Sequence, residues 1–256
     1  MKKVHVIPNS GLARSYIIVE RGGLVVVDVG SRGCAEDVME YIDTTLGRNL
    51  DELRFIAATH YHIDHIGGIG YLLKRCPGNT RVLFHHRVQD YLTGARKLSL
   101  IRHWCVGLTP ATLVSSRYVR RLSHGIVGSM AGIPLPFIRR FTRLPVDASR
   151  IAYFGTAGRG RYRLGFGAWD VIETPGHTED SVCFYNEETG ELISGDTIIN
   201  ITKGGRGNLN RFCWSRDRIR KSYDMLCRDI EPEVIYPGHG AVISNGKDLL
   251  MRVATF

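Results

Sequence analysis

The sequence predicts an α/β domain whose sheets are covered by helices. Three features of its 256 residues carry that expectation: short β-branched apolar runs recur, helical patterns fall between them, and 43% of the residues are apolar, enough for one well-buried core. In chain order, His5–Pro8, Ser15–Glu20 and Leu24–Val29 read as strands, separated by the turn residues Asn9-Ser10-Gly11 and Gly22-Gly23. Val38, Tyr41, Ile42 and Leu46 stand at helical spacing within a helix expected from Ala35 to Leu46. Arg54–Thr59 is a strand, Ile69–Arg75 a helix and Arg81–His85 a strand. Strand patterns resume at Ile151–Phe154, Arg161–Phe166 and Trp169–Thr174. Val182–Tyr185 and Glu191–Ser194 follow, joined by a hairpin turn at Asn186–Gly190. A helix over Arg216–Arg228, a strand at Val234–Tyr236 and a helix from Lys247 complete a single domain, 1–256.

The segment 94–150 breaks this rhythm. It holds ten of the 34 Lys/Arg and one acid, Asp147, leaving 24 bases and 24 acids elsewhere, so it carries the whole net charge of +9. Its bases alternate with aliphatic residues and with Pro110, Pro134, Pro136 and Pro145, which predicts a basic, mostly helical insertion. Leu113, Ile126, Ile133, Leu135, Phe137 and Phe141 would line an acyl groove under such a lid. Arg117, Arg120, Arg121, Arg139 and Arg140 would hold a phosphate or carboxylate, or rest on an anionic membrane surface; a solvated helix face is the competing reading. Aliphatic rather than aromatic interleaving argues against nucleic acid, whose bases stack on aromatic rings.

No apolar run approaches the roughly 20 residues that span a bilayer. The opening MKKVHVIPNSG lacks the apolar stretch of a signal peptide, so a cytoplasmic protein is expected. The six cysteines are scattered without a C-x-x-C pair, as in a reducing compartment, and are expected to be small buried hydrophobes.

The chemistry concentrates in four places. His60, His62, Asp64 and His65 fall within six residues after an apolar strand. On an extended segment His60, His62 and Asp64 would share a face, with His65 turning toward a neighbouring position. His177 in TPGHTEDS, Asp196 in SGDT and His239 in YPGHG each follow a strand and are flanked by glycine. Such strand-end loops can meet at one sheet edge. His5, His85, His86, His103 and His124 lack that context and read as structural.

This series, H-x-H-x-D-H, TPGHT, GDT and PGHG, together with Asp28 in VVVDVGS, resembles the metallo-β-lactamase superfamily, especially its glyoxalase II-like and lactonase-like hydrolases. The resemblance covers nearly the whole chain outside the basic insertion, and implies a four-layer αββα sandwich with its site at one edge. By position, it implies that His60, His62 and His177 bind one metal and Asp64, His65 and His239 a second, with Asp196 bridging. Asp28 and Thr178 would orient ligands. Asp180 stands where many relatives have glycine.

Nitrogen and oxygen donors suit two zinc ions, and iron or manganese also. The reaction expected is hydrolysis of a thioester, ester or lactone by a metal-bridging hydroxide, with Asp64 and Asp196 as the catalytic carboxylates. The substrate would be a small molecule, anionic or acylated, with Phe137, Arg139 and Arg140 among its contacts. A nucleic-acid phosphodiesterase using the basic segment and a mononuclear-iron sulfur dioxygenase-like enzyme are the alternatives.

Overall fold

The computed structural model describes residues 2–96, 121–128, 144–155, 160–201, 205–244 and 246–256. Its first sheet has six strands in sequence order: β1 (Val4–Val6), β2 (Tyr16–Glu20), β3 (Gly23–Val27), β4 (Leu53–Ala57), β5 (Arg81–His85) and β6 (Ile151–Phe154). Pairing is antiparallel from β1 to β3 and parallel from β3 to β6. The second sheet runs β13 (Val234–Pro237), β10 (Glu191–Gly195), β9 (Val182–Asn186), β8 (Trp169–Glu173) and β7 (Arg161–Arg163). Within it β10 and β13 are parallel, the other pairs antiparallel. Two short strands, β11 (Ile198–Ile199) and β12 (Asn208–Leu209), pair separately.

Alternation along each strand shows what the sheets face. In β3, Leu24 and Val26 pack with helical residues Cys34, Ala35 and Val38, whereas Val25 and Val27 pack with Trp169, Phe184 and Ile193 of the second sheet. Both faces are buried, which is why this strand is a continuous apolar run rather than an alternating one. In β9, Val182 and Phe184 join the inter-sheet core, while Cys183 and Tyr185 meet Ile219, Tyr223 and Leu226 of a 14-residue helix, Arg216–Asp229. The first sheet's outer face is covered by α1 (Arg32–Glu40) and α3 (Ile69–Leu73). Between them lies α2 (Ile63–Ile66); α4 (Val88–Thr93) follows β5, and Arg216–Asp229 is α5. The four layers are helix, sheet, sheet, helix.

Several boundaries differ from the sequence expectation for local reasons. Helix α1 begins at Arg32 because the Ser31 hydroxyl caps it, accepting the Cys34 N–H, and beyond Glu40 the chain winds as a π-helix over Tyr41–Thr45. Strand β7 stops at Arg163, since Gly165 and Gly167 take positive φ and Leu164 N–H turns back to the Trp169 carbonyl. The helix expected from Lys247 is only a 3-10 turn, Leu250–Arg252. Gly246 and Asp248 have positive φ, and Ala254 exchanges hydrogen bonds with Gly207 and Leu209 beside β12. Helix α4 carried no recognised sequence signal.

The basic segment enters between β5 and β6, which are neighbours. Its described parts contain two 3-10 turns, Leu122–Gly125 and Ala148–Arg150. Phe137, Arg139 and Arg140, like Leu113, Arg117, Arg120, Ile133, Leu135 and Phe141, lie outside the described residues. Three of the segment's arginines are engaged locally. Arg121 pairs with Asp37, Glu36 and Glu40; Arg96 pairs with Glu179 and Asp90. Arg150 donates to the carbonyls of Leu73, Pro77 and Thr80. The role of anion holder expected of Arg121 is therefore already filled by acids of α1. Among the described residues no helix is long and apolar enough to cross a membrane.

Candidate metal centre

The C-terminal ends of β4, β8, β10 and β13 lie along one edge of the sandwich, and the loops leaving them supply all seven expected ligand residues. His62 is still extended, at φ −99° and ψ 148°, but Ile63–Ile66 closes into a helical turn. Asp64 therefore does not share a strand face with His60 and His62, as the sequence pattern suggested. The turn sends Asp64 and His65 to a second group instead.

Two clusters result. His60 Nε2, His62 Nδ1 and His177 Nε2 form a triangle with sides of 3.0, 3.1 and 3.2 Å. Two nitrogens bound to one tetrahedral zinc at its usual bond lengths stand about 3.3 Å apart, so the spacing is that of a ligand set. Asp64, His65 and His239 form the second group, with Asp64 Oδ2 3.3 Å from His239 Nε2 and 3.9 Å from His65 Nε2. Asp196 stands between the groups. Its Oδ2 is 3.4 Å from both His177 Nε2 and His239 Nε2, and its Oδ1 is 3.5 Å from His65 Nε2. His65 Nε2 and Asp196 Oδ1 are fully buried yet have no hydrogen-bond partner. Buried polar atoms are almost always satisfied, so this pair of orphans is what a site shaped for cations looks like without them.

The outer nitrogens of His60, His65, His177 and His239 are occupied. His65 Nδ1 donates to Asp28 Oδ2 at 2.8 Å, His177 Nδ1 to the Phe212 carbonyl at 2.6 Å and His239 Nδ1 to the Leu12 carbonyl at 3.0 Å. His60 Nδ1 is 3.0 Å from Thr59 Oγ1. These contacts set the tautomers of those four rings and leave their Nε2 atoms facing the cluster, which His62 meets through Nδ1. Thr178 touches no ligand ring. It holds the loop that carries His177, its hydroxyl 2.7 Å from Ser181 Oγ and its carbonyl accepting the Gly176 N–H.

Burial and neighbouring histidines push His60 well below its ordinary pKa, and burial lowers His177 too, so both are neutral and ready to ligate. Burial also opposes charge on His239, but Asp196 and Asp64 outweigh it and push the ring up to about 10. His65 is raised likewise by Asp28, Asp64 and Asp196 against burial. Burial disfavours the charged forms of Asp64 and Asp196, yet the surrounding imidazoles hold both carboxyls well below the usual range.

Three contributors carried no motif. Asn210 Nδ2 donates to Asp196 Oδ2 at 3.4 Å and lies 3.3 Å from His177 Nδ1. The Phe212 and Leu12 contacts are made by backbone carbonyls, which no residue type announces. Asp180, buried and raised in pKa by that burial, accepts the Tyr61 N–H at 2.8 Å and so braces the chain between His60 and His62. A third convergence, His85, His86 and Glu173, lies at the ends of β5 and β8. Arg87 N–H donates to His85 Nδ1, which leaves the proton on Nε2 for Glu173 Oε1 at 3.1 Å. That is a hydrogen-bonded pair across the two sheets rather than an open ligand set. His124, read from the sequence as structural, is buried against Asp37.

Known proteins resemble this chain in sequence and in fold. The family model of the metallo-β-lactamase superfamily matches residues 10–86. A probable metallo-hydrolase, YqjP, of Bacillus subtilis is 22% identical over 249 residues, 92% of this chain and 69% of its own length. An atrochrysone carboxyl ACP thioesterase of Aspergillus fumigatus is 38% identical over 75 residues, which is 29% of this chain and only 21% of that protein. The crystal structure of a metallo-beta-lactamase family protein from Thermus thermophilus superposes with a TM-score of 0.58 at 20% identity, covering 98% of this chain and 77% of that one. Family match, relatives and layered fold all point to a likeness with the metallo-β-lactamase superfamily.

Proposed function

We propose that the protein is a dinuclear metal-dependent hydrolase of a thioester, ester or lactone. The observation that carries this is Asp196, a buried carboxylate set between two histidine groups with one oxygen left unsatisfied. His60, His62 and His177 would hold one cation, and Asp64, His65 and His239 the other. Zinc is the metal we favour, since every donor is nitrogen or oxygen and no thiolate takes part. When bound, the pair supplies an acidified water and a polarised acyl oxygen.

The chain's own residues do the rest. Asp64 is the least buried ligand, its side chain 23% exposed, so its carboxylate can accept a hydrogen bond from the attacking water and aim it. Asp196 keeps the two groups in register through the contacts described above. The buried walls around His60 and His65 exclude bulk water, which strengthens each of these interactions. The thioesterase similarity supports an acyl substrate.

We propose that the basic segment 94–150 serves as a lid at this edge. Its described stem is tied there: the Ile126 carbonyl accepts the Arg32 N–H, and Gly128 N–H donates to the Gly67 carbonyl two residues beyond His65. A cytoplasmic setting is supported by the free thiols of Cys34, Cys76, Cys183, Cys213 and Cys227.

The test is metal analysis of protein purified without chelator, followed by turnover of neutral thioesters, esters and lactones. Two ions per chain and turnover of at least one substrate class are expected. Asp196→Asn, which preserves shape and removes charge, is expected to lower turnover by about 10²-fold or more. A single iron that titration never doubles, or near-normal turnover by Asp196→Asn, would overturn the reading.

A further inference from the structure

The chain has a second concentration of positive charge, masked in the overall count by acids elsewhere. Between Gly205 and Lys221 stand Arg206, Arg211, Arg216, Arg218, Arg220 and Lys221 against one acid, Asp217. Elsewhere arginines meet acids, as Arg32 meets Glu36, Arg121 meets Asp37 and Arg161 meets Asp170. None of these six has a carboxylate partner among the described residues, and all six are exposed.

This stretch is strapped across the metal edge. At one end, Gly207 N–H donates to Asn200 Oδ1, and Asn200 N–H donates to the carbonyl of His239. In the middle, Asn210 contacts Asp196 and Phe212 contacts His177. At the other end, Trp214 and Ser215 donate to the carbonyls of His177 and Gly176. Arg211 is thus held between two residues that touch the ligands. Arg218 lies over the Trp214 ring at 5.5 Å, whereas Arg216 and Arg220 lean over Phe256. Helix α5 adds its N-terminal partial charge at the same place.

We propose that Arg211, with Arg206 and Arg218, forms an oxyanion-recognising rim that selects substrates bearing a carboxylate or phosphate on the acyl or the thiol side of the scissile bond. The proposal rests on the hydrolase reading for its substrate but not for its charge. An unneutralised cationic rim beside a reacting centre raises the local concentration of anionic substrate and orients it. An arginine fork adds directional hydrogen bonds to either oxyanion.

The test uses zinc-loaded full-length protein and its Arg211→Gln/Arg218→Gln variant on three thioesters. Butyryl-N-acetylcysteamine is neutral, glutaryl-N-acetylcysteamine carries its charge on the acyl side, and butyryl-4′-phosphopantetheine carries it on the thiol side. The variant is expected to lose about tenfold in kcat/KM on one charged substrate and less than about twofold on the neutral one, a gap that narrows as salt rises. Which charged substrate responds tells the source of the anion. Calorimetric binding of the matching non-hydrolysable thioethers should weaken in parallel. Equal losses on all three substrates would overturn the proposal. So would a loss that appears instead in Arg139→Gln/Arg140→Gln. Charge-dependent thioether binding without turnover of any substrate would keep the rim and sink the hydrolase reading.

Discussion

At the scale of single residues, Asp28 does the most with the least freedom. It sits at φ 61°, a left-handed conformation that a non-glycine residue adopts only when its surroundings hold it there. Its N–H goes to the Ala57 carbonyl, Oδ1 takes the Thr59 N–H, and Oδ2 takes both the Thr59 hydroxyl and His65 Nδ1. One carboxylate thus joins the ends of β3 and β4 to the turn of α2 and fixes the His65 tautomer. In Asp28→Asn the charge is lost and only one oxygen remains to accept. Affinity for the second metal is expected to fall about 10–100-fold, measured by titration against a competing chelator. Unchanged affinity would mean that Asp28 only supports the backbone. Asp28 was legible because it lies in a motif. Asn210 was not, because its role comes from where the loop before α5 happens to run.

At the scale of elements, the turn that carries Asp64 and His65 is docked on the loop after β3 by backbone contact. Val29 N–H donates to the His65 carbonyl and Gly68 N–H to the Val29 carbonyl. A Cβ on Gly30 would lie 1.8 Å from the Asp64 carbonyl oxygen, so only glycine permits the approach. Gly30→Ala is expected to cost about 1–3 kcal/mol of stability. It should also lower metal content toward one ion per chain, since Asp64 and His65 sit within that turn, whereas His60 and His177 lie outside it and His62 only caps it. Gly78→Ala, where an added Cβ meets nothing within 4 Å, is the control for both thermal unfolding and metal analysis. Equal metal content in the two variants would show that the loop gives way. The strands of the two main sheets and the β9–β10 hairpin were readable because a local pattern makes them; β11 and β12, two residues each, were not. Helix α2 was not, because an extended reading of H-x-H-x-D-H fits the spacing equally well until His62 becomes a helix N-cap.

At the scale of the whole molecule, charge at the metal edge predicts how stability follows pH. In the metal-free chain His65 and His239 have pKa values above their ordinary 6.5. Their contribution is therefore full below about 6.5 and lost as pH rises toward 10, the value His239 reaches. Asp64 and Asp196 stand below their ordinary 3.8, so their contribution is present above that value and lost as pH falls beneath it. Chelator-stripped protein should thus melt highest in mildly acidic buffer. Metal-loaded protein should gain Tm as pH rises to neutrality, because cations and protons compete for the same nitrogens. Thermal melts of both forms across pH would check this, and parallel profiles would show that the clusters bind no metal. The amino-acid sequence by itself determined an α/β domain with covered sheets and the strand-end loops that carry His60, His177, Asp196 and His239, because periodicity and flanking glycines are local properties of the chain; the four-layer order and the ligand roles came with the family resemblance. Only the tertiary structure decided which ligand atoms meet, which tautomers they hold and which cations stay unneutralised. Those outcomes depend on partners far apart in sequence, such as His239 on Leu12 or Arg121 on Asp37, and no local pattern records them.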